Sequence, residues 1–335
     1  MLAHHLKRMS RDWFLGGMVA AVVLATLFPH LGSSSGPLHT DLLTDAGIFA
    51  VFFLHGIGLS THSLKAGLLR WRLHLLVQTF TFAVFPLLWI AARATLGGWL
   101  PADLLLGFLY LCALPSTISS SVAMTAMARG NVPAAIFNAT LSSLLGIVLT
   151  PLLIGLLAGA SGQGLALGQA VLDIARLLLL PFALGQALRP LCGAWFARYK
   201  RFTNTFDKCV ILLLVYASFC DSVLGGLWTR YGVDTLLLTL VGAAILLAIV
   251  LLLTTRAAAR LGFSVEDEIT AVFCGSKKTL ASGMPMAKLL FGAHPALGMI
   301  VLPIMFYHPL QLLVCSVLAE RYARRPAAAA VPATA

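Results

Sequence analysis

Lys277 and Lys278 stand side by side in "AVFCGSKKTLASGMPMAKLLF" (271–291), a segment that is apolar at both ends. An ammonium group in such a place can hold an anion, stand in for a metal cation, or carry a proton. Ser276, Thr279 and Ser282 surround the pair with hydroxyls, and Gly275, Gly283 and Pro285 are poor helix formers. A second polar cluster lies in "LPSTISSSVAMT" (114–125), where Thr117, Ser119, Ser120 and Ser121 follow Pro115 and Ser116. Proline removes a backbone donor, and the hydroxyls compete for backbone partners, so this segment also predicts an interrupted helix. Asn138, Ser142 and Ser143 in "IFNATLSSLLG" form a further stripe, Asn138 and Ser142 being four residues apart. They are candidates for carbonyl or hydroxyl ligands; small polar residues also join membrane helices to one another.

The elements that must carry these groups follow from composition. The 335 residues are 59% hydrophobic and 10% charged, and mean hydropathy is +0.93. A water-soluble domain carries about 25% charged residues. Ten apolar stretches are each long enough to cross a bilayer as a helix: 11–28, 44–62, 72–95, 104–127, 132–158, 167–190, 205–225, 234–255, 266–290 and 294–320. The short alternating segments of a β-barrel are absent. The expected fold class is therefore an all-α membrane protein of ten transmembrane helices. The amino-terminal run reads as its first span rather than a cleaved signal, since no small-x-small site closes it.

The net charge of +11 orients the chain rather than binding nucleic acid. Seventeen Lys/Arg fall at the amino terminus, at alternate connections and in the tail, against three (Arg93, Arg230, Lys288) on the other side. That asymmetry predicts both termini in the cytoplasm, in an inner or plasma membrane, with the basic side meeting anionic lipid. The six cysteines are scattered singly and read as buried apolar residues, without disulfide or metal. No phosphate-cradling loop occurs, so no cofactor and no direct ATP drive are expected.

The chain divides into 1–158, a glycine-rich linker 159–166, 167–320 and a tail 321–335. A shift of 162 residues lays the fourth span on the ninth, with identities at Cys112/Cys274, Thr117/Thr279, Ser120/Ser282, Met124/Met286, Gly130/Gly292, Pro133/Pro295 and Ala134/Ala296. Five spans per copy is an odd number, so the second copy enters from the opposite side. This predicts two inverted five-helix repeats with broken fourth and ninth helices, the plan of secondary transporters.

The motifs "RMSRDWFLGGMV" (8–19), "LPSTISSSVAMT" (114–125), "GNVPAAIFNATLSSLLGIVLTPLL" (130–153), "YASFCDS" (216–222) and "FYHPLQLL" (306–313) resemble the bile acid:sodium symporter family, specifically its SBF-like seventh branch of solute carriers. The resemblance implies a panel domain and a core domain formed across both repeats, with the broken spans crossing near the membrane midplane. It also implies where sodium would be held, and there the chain departs. A Glu-x-Gly-x-Gln-Asn run set on Gly275 falls on Phe273, Lys277 and Lys278; a serine–asparagine pair on Ser121 and Val122; two hydroxyl ligands on Ala135 and Ala139; and a glutamine of the third span on Thr81.

A lysine at the bilayer centre costs about 2.5–3.5 kcal/mol, and from mid-span its amine cannot reach the interface. The expectation is that one lysine occupies the former cation site, replacing sodium or exchanging a proton, while the other attracts an anionic substrate. The competing expectation pairs both with Glu266, Asp267 or Glu268. Asp221 is expected as a solvated cap, and His55 and His308 as interhelical hydrogen-bonding groups. The function expected is cation-coupled transport (sodium or proton) of a small anionic solute; the alternative is a regulatory or channel-like protein of calcium homeostasis, which the resemblance brings in. A Ser–Lys enzyme drawn from Ser276 or Ser282 is the least favoured reading.

Overall fold

The computed structural model describes residues 13–58, 70–159, 175–226, 229, 231–292 and 294–325. Most of the 159–166 linker, the start of the sixth span, the tail from 326, and Lys7, Arg8, Arg11, Lys65 and Arg230 lie outside the described residues. Among the described residues the regular structure is helical throughout.

Helix α1 is Trp13–Leu27, followed by a single turn at Pro29–Gly32, and α2 is Thr40–Gly58. Helices α3 (Trp71–Thr79) and α4 (Phe85–Leu96) are joined by a π-helical turn, Phe80–Val84. Then come α5 (Ala102–Ala113), α6 (Ser119–Met127) and α7 (Val132–Gly159). A second π-helical turn, Ala175–Leu179, opens α8 (Leu180–Arg198), followed by α9 (Lys200–Leu224) and α10 (Val233–Arg260). The chain ends with α11 (Val265–Gly275), α12 (Gly283–Phe291) and α13 (Leu297–Ala323).

Five of these rods are long and apolar enough to cross a bilayer: α2, the α3–α4 unit, α7, α10 and α13. Their outer faces stay apolar where a soluble protein would turn polar. Leu237, Val241, Ile245 and Leu252 of α10 are all exposed, as suits a helix whose solvent is hydrocarbon. The protein is integral to a membrane.

The 162-residue shift returns in two pairs of element boundaries. The α3–α4 unit begins at Trp71 and α10 at Val233, while α5 ends at Ala113 and α11 at Gly275. Both α6 and α12, which follow the two interruptions, are nine residues long.

Helix α8 packs along α2, and α9 along α1. The α2–α8 contact is backbone to backbone. A Cβ on Gly56 would lie 2.1 Å from Phe182 O, and one on Gly185 would lie 2.0 Å from Phe53 O. Only two glycines facing one another allow that approach. The other helices pack around α5, α11 and α13, where the buried polar residues concentrate.

Candidate ion and substrate site

The interruptions at 114–118 and 276–282 meet. Leu114, preceding Pro115, turns to extended backbone (ψ 149°), and α5 stops there. Thr279 N donates to Pro115 O at 3.0 Å, joining the two unwound segments main chain to main chain. Side chains take up several further backbone groups, as burial in a membrane requires. Ser116 Oγ donates to Cys274 O (2.5 Å), Ser121 Oγ to Phe273 O (3.0 Å) and Thr150 Oγ1 to Ala113 O (2.8 Å). Ser142 Oγ accepts from Ser116 N at 2.9 Å. Pro115 fits against α7 because residue 146 is glycine; a Cβ there would be 2.6 Å from Pro115 Cγ.

Three residues that the sequence analysis did not single out hold the second unwound segment. Gln311 of α13 accepts from Lys278 N and donates from Nε2 to Lys278 O, both at 2.8 Å. Tyr307 OH donates to Ser276 O at 2.7 Å, and Tyr110 OH donates to Gly283 O. Gln311 sits inside "FYHPLQLL", quoted above for its resemblance; its signal was a polar side chain in the interior of an apolar span.

Both lysines are fully buried, at 0% exposure. Lys278 Nζ donates to three main-chain carbonyls, of Thr81 (2.8 Å), Cys112 (2.8 Å) and Leu114 (2.6 Å). The Phe85 ring lies 4.0 Å from the same nitrogen. Three acceptors match the three N–H groups of an ammonium. Cys112 lies in the last turn of α5 and Leu114 just past it, where the helix dipole favours a cation.

Each of these carbonyls is left over by a feature of the sequence. In the π-helical turn Phe85 N bonds Phe80 O, five residues back. Continued for one residue, that register assigns Thr81 O to residue 86, which is proline and has no N–H. Cys112 O loses its helical partner because Ser116 N bonds Ser142. Leu114 O lies beyond the end of α5.

Lys277 is placed differently. Its Nζ donates to Ser120 O and to Met124 Sδ, both at 2.9 Å, and stands 5.5 Å from the Phe273 ring centre. Ser120 belongs to the first turn of α6, whose initial residue Ser119 is exposed. Thr117 Oγ1 bonds Ser120 Oγ (2.5 Å) and Ser121 Oγ (3.1 Å), so the hydroxyls of this turn form a chain. Adjacent in sequence, the two amines point to different breaks.

The alternative pairing with acids is overturned. Glu266 pairs with Arg325 (3.0 Å), Asp267 with Arg70 (3.3 Å) and Asn131 (2.8 Å), and Glu268 accepts from Tyr322 (2.8 Å). These carboxylates open α11 and suit its amino-terminal dipole. Among the described residues neither amine bonds a serine hydroxyl: Lys277 Nζ goes to Ser120 O and Met124 Sδ, and Lys278 Nζ to three carbonyls.

Of the other candidates, Thr81 reaches the site through its carbonyl, its hydroxyl being folded back onto Val77 O. Ser282 and Thr279 bond one another across the unwound turn, Ser282 N to Thr279 Oγ1 at 3.3 Å. Asn138 lies one layer away, bonding Ala134 O, and it accepts from Gln78 Nε2 at its own carbonyl (3.2 Å). Gln78, one turn before Thr81, is thus a glutamine of the third span facing α7. Ser143 bonds Ala139 O on its own helix, and Ala135 O accepts from Cys274 Sγ at 3.8 Å. Asp221 accepts from Ser34 N and Oγ at a partly exposed position, as a solvated cap does. His55 faces Asp207 of α9 at 3.8 Å, whereas His308 bonds Gln311 on its own helix and meets Phe14 edge-on.

Fold and site together define an all-helical membrane protein built around two interrupted helices and two enclosed amines. The chain belongs to the SBF-like CPA transporter family, whose pattern it matches over residues 12–324. It is 50% identical to the uncharacterized protein PA2026 of Pseudomonas aeruginosa, over 94% of this chain and 93% of that one. It is 46% identical to the putative symporter YfeH of Escherichia coli K12, over 94% and 93%, and 33% identical to sodium/bile acid cotransporter 7-B of Xenopus laevis, over 93% and 92%. The chain is a membrane transporter and not an enzyme.

Proposed function

We propose that this protein is a secondary active transporter of a small anionic organic solute, coupled to a cation, either sodium or a proton, and working by alternating access. The observation that carries the reading is the meeting of two helix breaks on buried amines, at Thr279 N and Pro115 O. Broken spans in equivalent positions of two repeats mark the substrate site of secondary transporters. The 162-residue offset shared by two pairs of helix boundaries supports ten spans in two five-helix repeats, and the charge asymmetry supports their inverted orientation with both termini cytoplasmic. In this reading α1, α2, α8 and α9 form the panel, and the remaining helices form the core.

The anion is drawn to Lys277. Its amine has one carbonyl and one thioether as partners, and a thioether is a weak acceptor that an anion readily replaces. The amino-terminal turn of α6 adds the positive end of a helix dipole. The relatives named as sodium/bile acid cotransporters make a bile acid, a steroid carboxylate or its taurine conjugate, one candidate; a small carboxylate is another.

Thermal-shift measurements on purified protein with taurocholate, citrate, benzoate and sulfate test the reading. Saturable stabilisation by at least one of the organic anions, lost in Lys277→Ala, is expected. No stabilisation by any of them, or stabilisation unchanged in Lys277→Ala, would contradict it.

A further inference from the structure

The carbonyls of Thr81, Cys112 and Leu114 converge on one point from two separate chain segments, at 2.6–2.8 Å from the nitrogen of Lys278. A ring of backbone carbonyls is what replaces the hydration shell of an alkali ion in a selective site. We infer that these three carbonyls form a monovalent-cation site, filled in the native chain by the Lys278 amine, and that the site accepts a free alkali ion once the amine is removed.

Four observations support this. Each carbonyl is vacated by its own sequence device: Pro86 beyond the π-helical turn, Ser142 capturing Ser116 N, and the extended Leu114 ahead of Pro115. Such independent vacancies aimed at one nitrogen are a built site rather than a gap left by one kink. The Phe85 ring closes a further side at 4.0 Å, as a π-face closes on a cation. Among the described residues no carboxylate pairs with Lys278, so the site holds one positive charge against neutral dipoles. An alkali ion in place of the ammonium leaves that charge count unchanged. Finally, the backbone of Lys278 is held by Gln311 independently of its amine, so the side chain can be shortened without freeing the loop.

The inference stands apart from the transport reading, because its readout is stability under defined cations and not solute movement. Melting curves are taken in detergent at constant ionic strength, exchanging choline chloride for NaCl, KCl or LiCl. Any shift of the wild type between these salts is the baseline against which the variants are read. Lys278→Ala, which opens room for an ion, is expected to melt lower in choline and to recover by about 5 °C or more, saturably, with one of the alkali ions. Lys278→Met, which fills the space without a charge, is expected to show no such recovery. Equal melting of Lys278→Ala in every salt, its failure to fold in all of them, or recovery of Lys278→Met to the same extent would overturn the inference. Alkali-ion stabilisation of the wild type as large as that of Lys278→Ala would overturn it as well.

Discussion

Gln311 grips the backbone of Lys278 from both sides, its carboxamide oxygen taking the N–H and its nitrogen giving to the carbonyl, each at 2.8 Å. A side-chain amide thereby does for one residue what a neighbouring strand would do in a sheet. The unwound segment 276–282 survives in an apolar interior because its polar backbone is answered in this way.

Gln311→Leu leaves that donor and acceptor buried without partners. The expected loss is about 2 kcal/mol or more, read as a fall in Tm of the purified protein. A Tm unchanged from wild type would show that the loop is held by other contacts.

Pro86→Ala tests the origin of one cage carbonyl. Replacing a proline inside a helix ordinarily stabilises it, by up to about 3 kcal/mol. Here the restored N–H competes with the Lys278 amine for Thr81 O, so melting should show no gain or a loss. A clear rise in Tm would mean that Thr81 O does not depend on Pro86.

Gly185→Val probes the α2–α8 contact. Its Cβ alone would sit 2.0 Å from Phe53 O, and backbone on both sides leaves nothing flexible to move aside. The helices must separate, and a loss of more than about 3 kcal/mol is expected. Size-exclusion chromatography should show aggregation or no recoverable protein, while Gly16→Ala, which meets nothing within 4 Å, should behave as wild type.

Lys288 of α12 pairs with Asp41 (3.2 Å) and Asp45 (2.9 Å) of α2, and its amine also bonds Thr44. The carboxylates are largely exposed, so a double-mutant cycle of Lys288→Ala with Asp45→Asn should give a coupling below about 1 kcal/mol. That coupling should shrink as salt is raised. A larger, salt-independent coupling would show the cluster to be closed off from solvent.

Much of this organisation was legible in the residues. Pro115, the serines beside it and the glycines flanking Lys277 and Lys278 placed both interruptions, and the repeated cysteine at 112 and 274 gave the offset that the helix boundaries share. What escaped was which amine goes to which break, since spacing along a chain does not say which carbonyls a broken helix leaves open. Gln311, Tyr307 and Tyr110 escaped for a related reason: they act on segments 31 to 173 residues away in sequence. Thr81 entered as the position of a third-span glutamine and meets Lys278 through its carbonyl, because the π-helical turn that exposes it leaves no mark in composition.

The most direct test of the central claim, that the crossing of the two interrupted helices is the transport site, is counterflow into proteoliposomes. Radiolabelled taurocholate, citrate and benzoate would be followed with wild type and with Lys277→Ala, each confirmed as folded by its melting curve. The account predicts saturable counterflow of at least one of these anions by wild type and a reduction of about tenfold or more in Lys277→Ala. Equal counterflow by both proteins, or none by wild type, would contradict it.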